Sequence, residues 1–380
     1  MEPRTGPRPR SLRRRTIGAA ALATALLLSA CATQPETVTS PELAPSAPPS
    51  SNAAPDAPAP VAPTGDPVDV VTGLDAPWSI AFLGETALVS ERDSGRILEV
   101  SADGTTREVV TVDGVVAGGE GGLLGLAIDE DDRLYAYSTG DGGNRIERYD
   151  LDGEPGSLSA GDPETILEGL PSSRTHNGGR LAIGPDGHLY ASVGDAGDPD
   201  AAQRPDALGG KILRMTLDGE APEDNPIPGS VVYSLGHRNV QGMGWSEDGT
   251  MFATEFGQDT WDELNIITEG ANYGWPVVEG IVGRAEFADP VQQWTPDEAS
   301  PSGMAIVGGT LFLANLRGQV LRSVPLADTA SADDLLVGAY GRLRDAVEAP
   351  DGSLWVLTNN TDGRGDPGDG DDRILRIPLG

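Results

Sequence analysis

From Val68 to Gly380 the chain alternates short apolar runs with glycine- and aspartate-rich turns, without a sustained helical period. That pattern predicts strands throughout. One template recurs six times: a turn, then a strand of the form x-Leu-aromatic-small. The copies are Ala87-Leu88-Val89-Ser90, Arg133-Leu134-Tyr135-Ala136, His188-Leu189-Tyr190-Ala191, Thr250-Met251-Phe252-Ala253, Thr310-Leu311-Phe312-Leu313 and Ser353-Leu354-Trp355-Val356. Their second residues are spaced by 46, 55, 62, 60 and 43 positions. Each copy leads to a second apolar strand: Arg96-Ile97-Leu98, Arg145-Ile146-Glu147, Lys211-Ile212-Leu213, Glu263-Leu264-Asn265, Gln319-Val320-Leu321 and Arg373-Ile374-Leu375. Units of roughly 50 residues each suffice for a four-stranded sheet, so the chain is expected to be all-β, a six-bladed β-propeller. Val68–Val71 is expected to pair with the last blade and close the ring.

The first 67 residues do not follow this pattern. Arg4, Arg8, Arg10 and Arg13-Arg14-Arg15 precede the apolar run Ile17–Ala30, which is too short to span a bilayer. The run ends in Leu28-Ser29-Ala30-Cys31, an export signal whose end looks like a bacterial lipobox. Cys31 is the only cysteine, which rules out an intrachain disulfide and any cysteine-based metal site. Residues 1–31 therefore read as a lipoprotein signal peptide with Cys31 as the lipidated residue. Residues 32–67 carry ten prolines and read as a disordered Ala/Pro-rich tether, leaving 68–380 as the propeller. The expected location is the outer face of the cell membrane.

Charge narrows the partners. Beyond the leader, 20 basic and 58 acidic side chains leave a net charge near −38, with Lys211 the only lysine. Such a chain lacks the basic footprint that nucleic acid requires.

The repeat register places the residues just before each innermost strand at one mouth of the central channel. These are Ala76-Pro77-Trp78, Glu120-Gly121-Gly122, Thr175-His176-Asn177, His237-Arg238-Asn239, Ser300-Pro301-Ser302 and Arg342-Leu343-Arg344-Asp345. Arg317, in a loop of the fifth unit, is positioned to join them. One such arginine would ordinarily pair with a nearby acid, such as Asp345 or Glu348. Several converging in so acidic a protein suit a small ligand with several carboxylates, which guanidinium binds bidentately.

A second cluster, Glu255-Phe256-Gly257-Gln258-Asp259-Thr260-Trp261-Asp262-Glu263 followed by Asn272-Tyr273-Gly274-Trp275, is rich in oxygen donors and glycine, which suits calcium. Among the three histidines, His188 reads as surface and His237 as a brace beside Arg238. His176, in an Asn-Gly-Gly setting at the mouth, is placed to act as a general base. The Gly/Asp-rich tail Asp362–Asp372 reads as a plain exposed loop.

These segments resemble the PQQ-dependent soluble glucose and aldose sugar dehydrogenases, also called glucose/sorbosone dehydrogenases. The most specific stretches are Glu120-Gly-Gly-Leu-Leu124, the run from His176 to Gly187, the run from Gly236 to Gly242, Asn272-Tyr-Gly-Trp-Pro276, Pro301-Ser-Gly-Met304 and Arg342-Leu-Arg-Asp345. The resemblance implies a pyrroloquinoline quinone (PQQ) cofactor with Ca2+, a sugar substrate and an external electron acceptor. It implies His176 as the base at the anomeric hydroxyl, with Arg238 and Asn239 near the reactive carbonyls of PQQ. Arg342, Arg344 and Arg317 would hold its carboxylates. Gly257 and Gln258 would offer carbonyls to the calcium at the quinone, and Glu263 with the Tyr273 carbonyl would bind a structural calcium. Asp195 would support the floor and orient His176. Three positions depart from the family: Glu120 stands for a glutamine near the substrate, Thr175 for an aspartate, and Gln258 for a proline.

Aldose oxidation is thus the leading expectation. A lipid-anchored propeller that binds without turnover is the alternative, kept open by Glu120 and Thr175. A metal-dependent lactonase would need a carboxylate cage on the axis, which the arginines oppose.

Overall fold

The computed structural model describes residues 58–380, and all its named strands pair antiparallel in six sheets. Blade 1 runs Pro77–Leu83, Thr86–Glu91, Arg96–Val100 and Thr106–Thr111. Blade 2 runs Leu123–Ile128, Arg133–Gly140, Gly143–Asp152 and Glu164–Leu170, with a short Ser159–Ala160 addition. Blade 3 is Leu181–Ile183, Leu189–Val193, Lys211–Met215 and Val232–Leu235; blade 4 is Val240–Trp245, Met251–Glu255, Asp262–Ile267 and Gln292–Trp294. Blade 5 is Pro301–Val307, Thr310–Asn315, Leu321–Pro325 and Asp333–Leu335. Blade 6 is Leu343–Glu348, Leu354–Thr358 and Arg373–Ile377, and Val68–Thr72 supplies its outer strand, with Val68 opposite Arg376 and Thr72 opposite Arg373. The expected six-bladed propeller and its closing strand are both present.

Each copy of the sequence template forms the second strand of its blade. Those strands are buried on both faces, because every sheet is sandwiched between two neighbours. Their apolar residues therefore form near-continuous runs rather than alternating with polar ones. Leu88, Leu123 and Leu134 fill the seam between blades 1 and 2, and Phe312, Leu343 and Val356 the seam between blades 5 and 6. Burying each such side chain contributes about 1.5–3 kcal/mol.

The axis is closed by polar side chains instead. Arg180 donates to Asp345 Oδ2 at 2.9 Å, Ser79 Oγ at 3.2 Å and the Gln241 carbonyl at 2.8 Å. Arg344 donates to Gln241 Oε1 at 2.8 Å and Ser302 Oγ at 3.3 Å. Five blades thus contribute to one buried network that seals the channel and makes a floor for the mouth above it.

Residues 58–67, expected in the tether, are in part bonded to the propeller. The Ala62 and Gly380 N–H groups donate to each other's carbonyls at 3.1 Å, and Thr64 N–H donates to the Pro378 carbonyl at 2.9 Å. Pro60 bridges to Gly308 and Pro63 to Leu379. This clasp lies at the ends of blades 5 and 6 remote from Ser300 and Asn359, so it is on the face opposite the mouth. Cys31 and the leader fall outside the described residues.

Candidate active site

The loops before the first strand and after the second strand of each blade meet above the Arg344 network. They enclose a cavity of about 420 Å³, within the size range of small-molecule sites. Five guanidinium groups line it, those of Arg92, Arg317, Arg342, Arg344 and Arg364, with Glu120 as the one lining acid. Trp78 and Phe256 supply apolar wall.

Beneath these arginines lies the carboxylate of Asp362, whose side chain is wholly buried. It accepts from Arg342 at 3.2 Å and sits 3.9 Å from both Arg92 and Arg344. Burial alone would raise the Asp362 carboxyl, but the charges of Arg342, Arg344 and Arg92 hold it below the ordinary carboxylate value. Burial also lowers Arg342, and takes Arg344 down to about 9 despite Asp362, leaving it charged at neutral pH. Arg92 also pairs with Asp93 at 2.6 Å, so Arg342 and Arg344 share Asp362 and keep positive charge over for a ligand. The tail loop is thus not simply exposed: Asp362 anchors the cationic cluster, and Asp372 is buried, accepting from Thr358 Oγ1 at 2.9 Å. Asp345, one of the two nearby acids that would have neutralised a mouth arginine, pairs with Arg180 instead.

Arg317 lies at the rim. Its side chain is 62% exposed and pairs with Asp297 at 2.9 Å, so it is less committed to the cavity than Arg342 or Arg344.

His176 stands beside this cavity, tied to it through Glu120, whose Oε2 accepts the His176 backbone N–H at 2.8 Å. His176 has a left-handed backbone (φ 60°), and its carbonyl presses against Gly194 where any Cβ would collide. Ring Nδ1 is 2.7 Å from Asp195 Oδ1. Asp195 also accepts from Gly197 N–H and Trp275 Nε1, each at 2.9 Å. Although burial opposes it, the bonds from His176 and Gly197 hold the Asp195 carboxyl below its ordinary value. A charged Asp195 keeps the imidazole proton on Nδ1, which leaves the Nε2 lone pair to accept a proton. Asn239 joins the group by accepting from Gly178 N–H at 3.0 Å and donating to Glu120 Oε2 at 3.5 Å.

Arg238 donates to the Phe256 carbonyl at 3.0 Å and lies 5.5 Å from the centre of the Trp275 ring. Its Nε is buried without a partner, and burial lowers its pKa from the usual arginine value. A buried orphan donor beside Asp195 fits an acceptor-bearing ligand. His237 is a brace, as expected: wholly buried, it bonds Glu255 Oε2 at 2.9 Å and Ser234 Oγ at 2.8 Å. His188 lies away from the site, beside Asp186 and Arg214.

Gly257, expected at the calcium of the quinone, shares a cavity of about 10 Å³ with Glu263 and Tyr273, expected at a separate structural calcium; it has room for one water-sized sphere. Gly257, Glu263 and Tyr273 line it, together with Glu255, Glu279 and the cationic Arg238. Burial and then the neighbouring Glu255 push Glu263 up to about 8. Gln258 is exposed outside this cavity, its N–H donating to Glu279 at 2.7 Å. Among the described residues no three acidic or histidine side chains form a metal set alone, so backbone carbonyls would have to complete one.

The sequence reading missed Arg92, Arg364, Asp362 and Trp275. The first three sit just after a blade's second strand, the register that also carries Arg317.

An arginine-lined axial cavity beside a carboxylate-oriented imidazole defines a propeller enzyme that handles a polyanionic ligand next to a proton acceptor. The chain belongs to the glucose/sorbosone dehydrogenase family, whose model matches residues 74–375. It is accordingly a sugar-oxidising oxidoreductase. It is similar to the PQQ-bound aldose sugar dehydrogenase of Streptomyces coelicolor, with 48% identity and a TM-score of 0.80, over 85% of this chain and 100% of that one. The aldose sugar dehydrogenase of Escherichia coli is 31% identical over 76% of this chain and 89% of its own length. Quinoprotein glucose dehydrogenase B of Acinetobacter calcoaceticus is 34% identical over 58% of this chain and 54% of its own.

Proposed function

We propose that the protein oxidises an aldose at its anomeric carbon to the lactone, using PQQ and calcium and passing the electrons to an external acceptor. The observation that carries this is the cavity of about 420 Å³ lined by five arginines and one acid, in a chain of net charge −33. A tricarboxylate fits that surplus, and the orphan Arg238 Nε fits a ligand oxygen. When bound, PQQ supplies a two-electron sink that accepts hydride from the sugar.

Arg342 and Arg344 would hold the cofactor's carboxylates, with Arg92 and Arg317 reinforcing them from the loops. His176 Nε2 would take the anomeric hydroxyl proton, leaving a cationic imidazole that the Asp195 carboxylate stabilises. Trp78, Phe256 and the axial network exclude water from below, which strengthens each charge contact. Gly257 with Gln258, and Glu263 with Tyr273, are the candidate calcium ligands. Cys31 is proposed to carry the lipid that holds the exported protein at the outer face of the cell membrane.

The test is to reconstitute purified protein with PQQ and calcium and screen aldoses with an artificial electron acceptor. Stoichiometric PQQ binding with lactone formation is the expected result. Failure to bind PQQ in calcium would overturn the proposal.

A further inference from the structure

A second recess, of about 430 Å³, opens beside the cofactor cavity and shares Arg92 and Arg364 with it. Its remaining wall includes Arg174, Asp93, Asp362 and the backbone of Ala117-Gly118-Gly119. The two acids are already engaged: Asp93 accepts from Arg92 at 2.6 Å, and Asp362 from Arg342 at 3.2 Å. Arg364 meets Glu120 only at 3.6 Å. Among the described residues Arg174 has no carboxylate within 4.0 Å, although acids outnumber bases 59 to 26 in this chain. Arg174 is exposed, so water alone solvates it and its charge is available to a ligand.

The recess adjoins the proposed base. The Arg174 carbonyl accepts the Glu120 N–H at 2.8 Å, and Glu120 Oε2 accepts the His176 N–H at 2.8 Å. Arg174 and His176 therefore flank Glu120 from one loop, with Arg364 on its other oxygen. Gly119 lies so close to Arg174 that a Cβ there would strike the arginine's carbonyl and side chain, so backbone alone forms this part of the wall. A sugar with C1 at His176 would meet Glu120 next and, beyond it, the recess wall at Arg174.

We propose that the recess is a subsite for the anionic end of an acidic aldose, either a carboxylate, as in a hexuronic acid, or a phosphate, as in a sugar phosphate. This rests on the reading of His176 as the base of aldose oxidation. Glu120 Oε1 faces Arg364 at 3.6 Å, which partly screens its charge from such a ligand. Arg174 supplies the uncompensated charge, and guanidinium suits either oxyanion.

The experiment compares kcat/KM for glucose, glucuronate and glucose 6-phosphate in the PQQ- and calcium-loaded protein, at low and high salt. Wild type is set against Arg174→Gln and Arg174→Lys. One of the anionic sugars should exceed glucose by at least about fivefold, and that advantage should shrink in high salt. Arg174→Gln should cut it by about three- to tenfold while glucose oxidation is unchanged, and Arg174→Lys should restore part of it. The anion that prevails identifies the source. No preference over glucose, or a preference indifferent to Arg174→Gln, overturns the inference and leaves the dehydrogenase reading standing. If no aldose is oxidised, that reading fails by itself. Calorimetric titration of the unloaded protein with both anionic sugars then decides the recess: Arg174-dependent binding supports it, and absent or Arg174-independent binding overturns it.

Discussion

Trp275 donates its indole N–H to Asp195 Oδ2 at 2.9 Å, on the carboxylate oxygen not used by His176. The two carboxylate oxygens therefore have separate tasks: Oδ1 holds the imidazole and Oδ2 is pinned by the indole. A carboxylate fixed at both oxygens cannot swing, and the direction of His176 Nε2 is set with it.

Trp275→Phe keeps the aromatic body near Arg238 but removes that donor. Loss of one hydrogen bond to a charged group, about 1.5–3 kcal/mol, reaches the reaction only through His176. Turnover per bound PQQ should fall about five- to twentyfold, by less than the full contact, while PQQ affinity stays within about threefold. Stopped-flow reduction measured against bound cofactor checks this.

His176→Gln should reduce turnover per bound PQQ by at least about two decades, the ordinary worth of a general base. The arginines are untouched, so titration calorimetry should show nearly unchanged PQQ affinity. Turnover per cofactor equal to wild type would remove His176 as the base.

Arg344→Ala deletes a buried guanidinium at the floor of the cavity. PQQ should bind roughly 10- to 150-fold more weakly, the equivalent of one charge-assisted hydrogen bond. Calorimetry at fixed calcium reads the change directly.

Asp362→Asn leaves Arg342, Arg344 and Arg92 facing one another without their shared anion. Breaking a buried pair of this kind costs about 3–5 kcal/mol, and PQQ carboxylates should recover part of it, so the cofactor should raise the melting temperature more in this variant than in wild type. Because the folded protein holds the Asp362 carboxyl below its ordinary value, its contribution is complete above the unfolded value of about 3.9. It is lost as pH falls through the lower folded value. The stability gap between wild type and variant should therefore be widest near neutrality and close in acid, as urea titrations across pH would show.

Cys31→Ser should release the protein from the membrane fraction without altering its melting temperature, since the residue precedes the clasp and the blades. Retention of the signal-cleaved variant in the membrane would end the lipid-anchor proposal.

The blades were legible because their signal is local. Hairpin turns recur beside apolar runs, and each template copy, from Leu88 to Leu354, became a second strand buried on both faces. The mouth residues followed from register alone, which brought Glu120, His176, Arg238, Arg342 and Arg344 together. What register could not show was which acid each arginine would meet. Asp362 sits in a Gly/Asp-rich stretch whose composition matches a solvated loop, yet folding carries its side chain beneath Arg342 and Arg344 of its own blade and Arg92, 270 positions away. Trp275 read as part of a calcium-like segment because its partner, Asp195, is 80 positions away. Glu263 was visible as an oxygen ligand, while its company with Glu255 and Glu279 depends on the packing of blade 4.

The clasp of residues 58–65 on Gly308, Gly309 and Pro378–Gly380 places both ends of the described residues on one face, with the arginine-lined mouth on the other. Polarity follows for anything grafted to the protein. An electrode linker, a bead or a fused domain joined at Gly380 leaves the substrate entrance pointing outward, and a soluble electron carrier reaches it without passing the support. The molecule has a built-in front and back, and its handles are at the back.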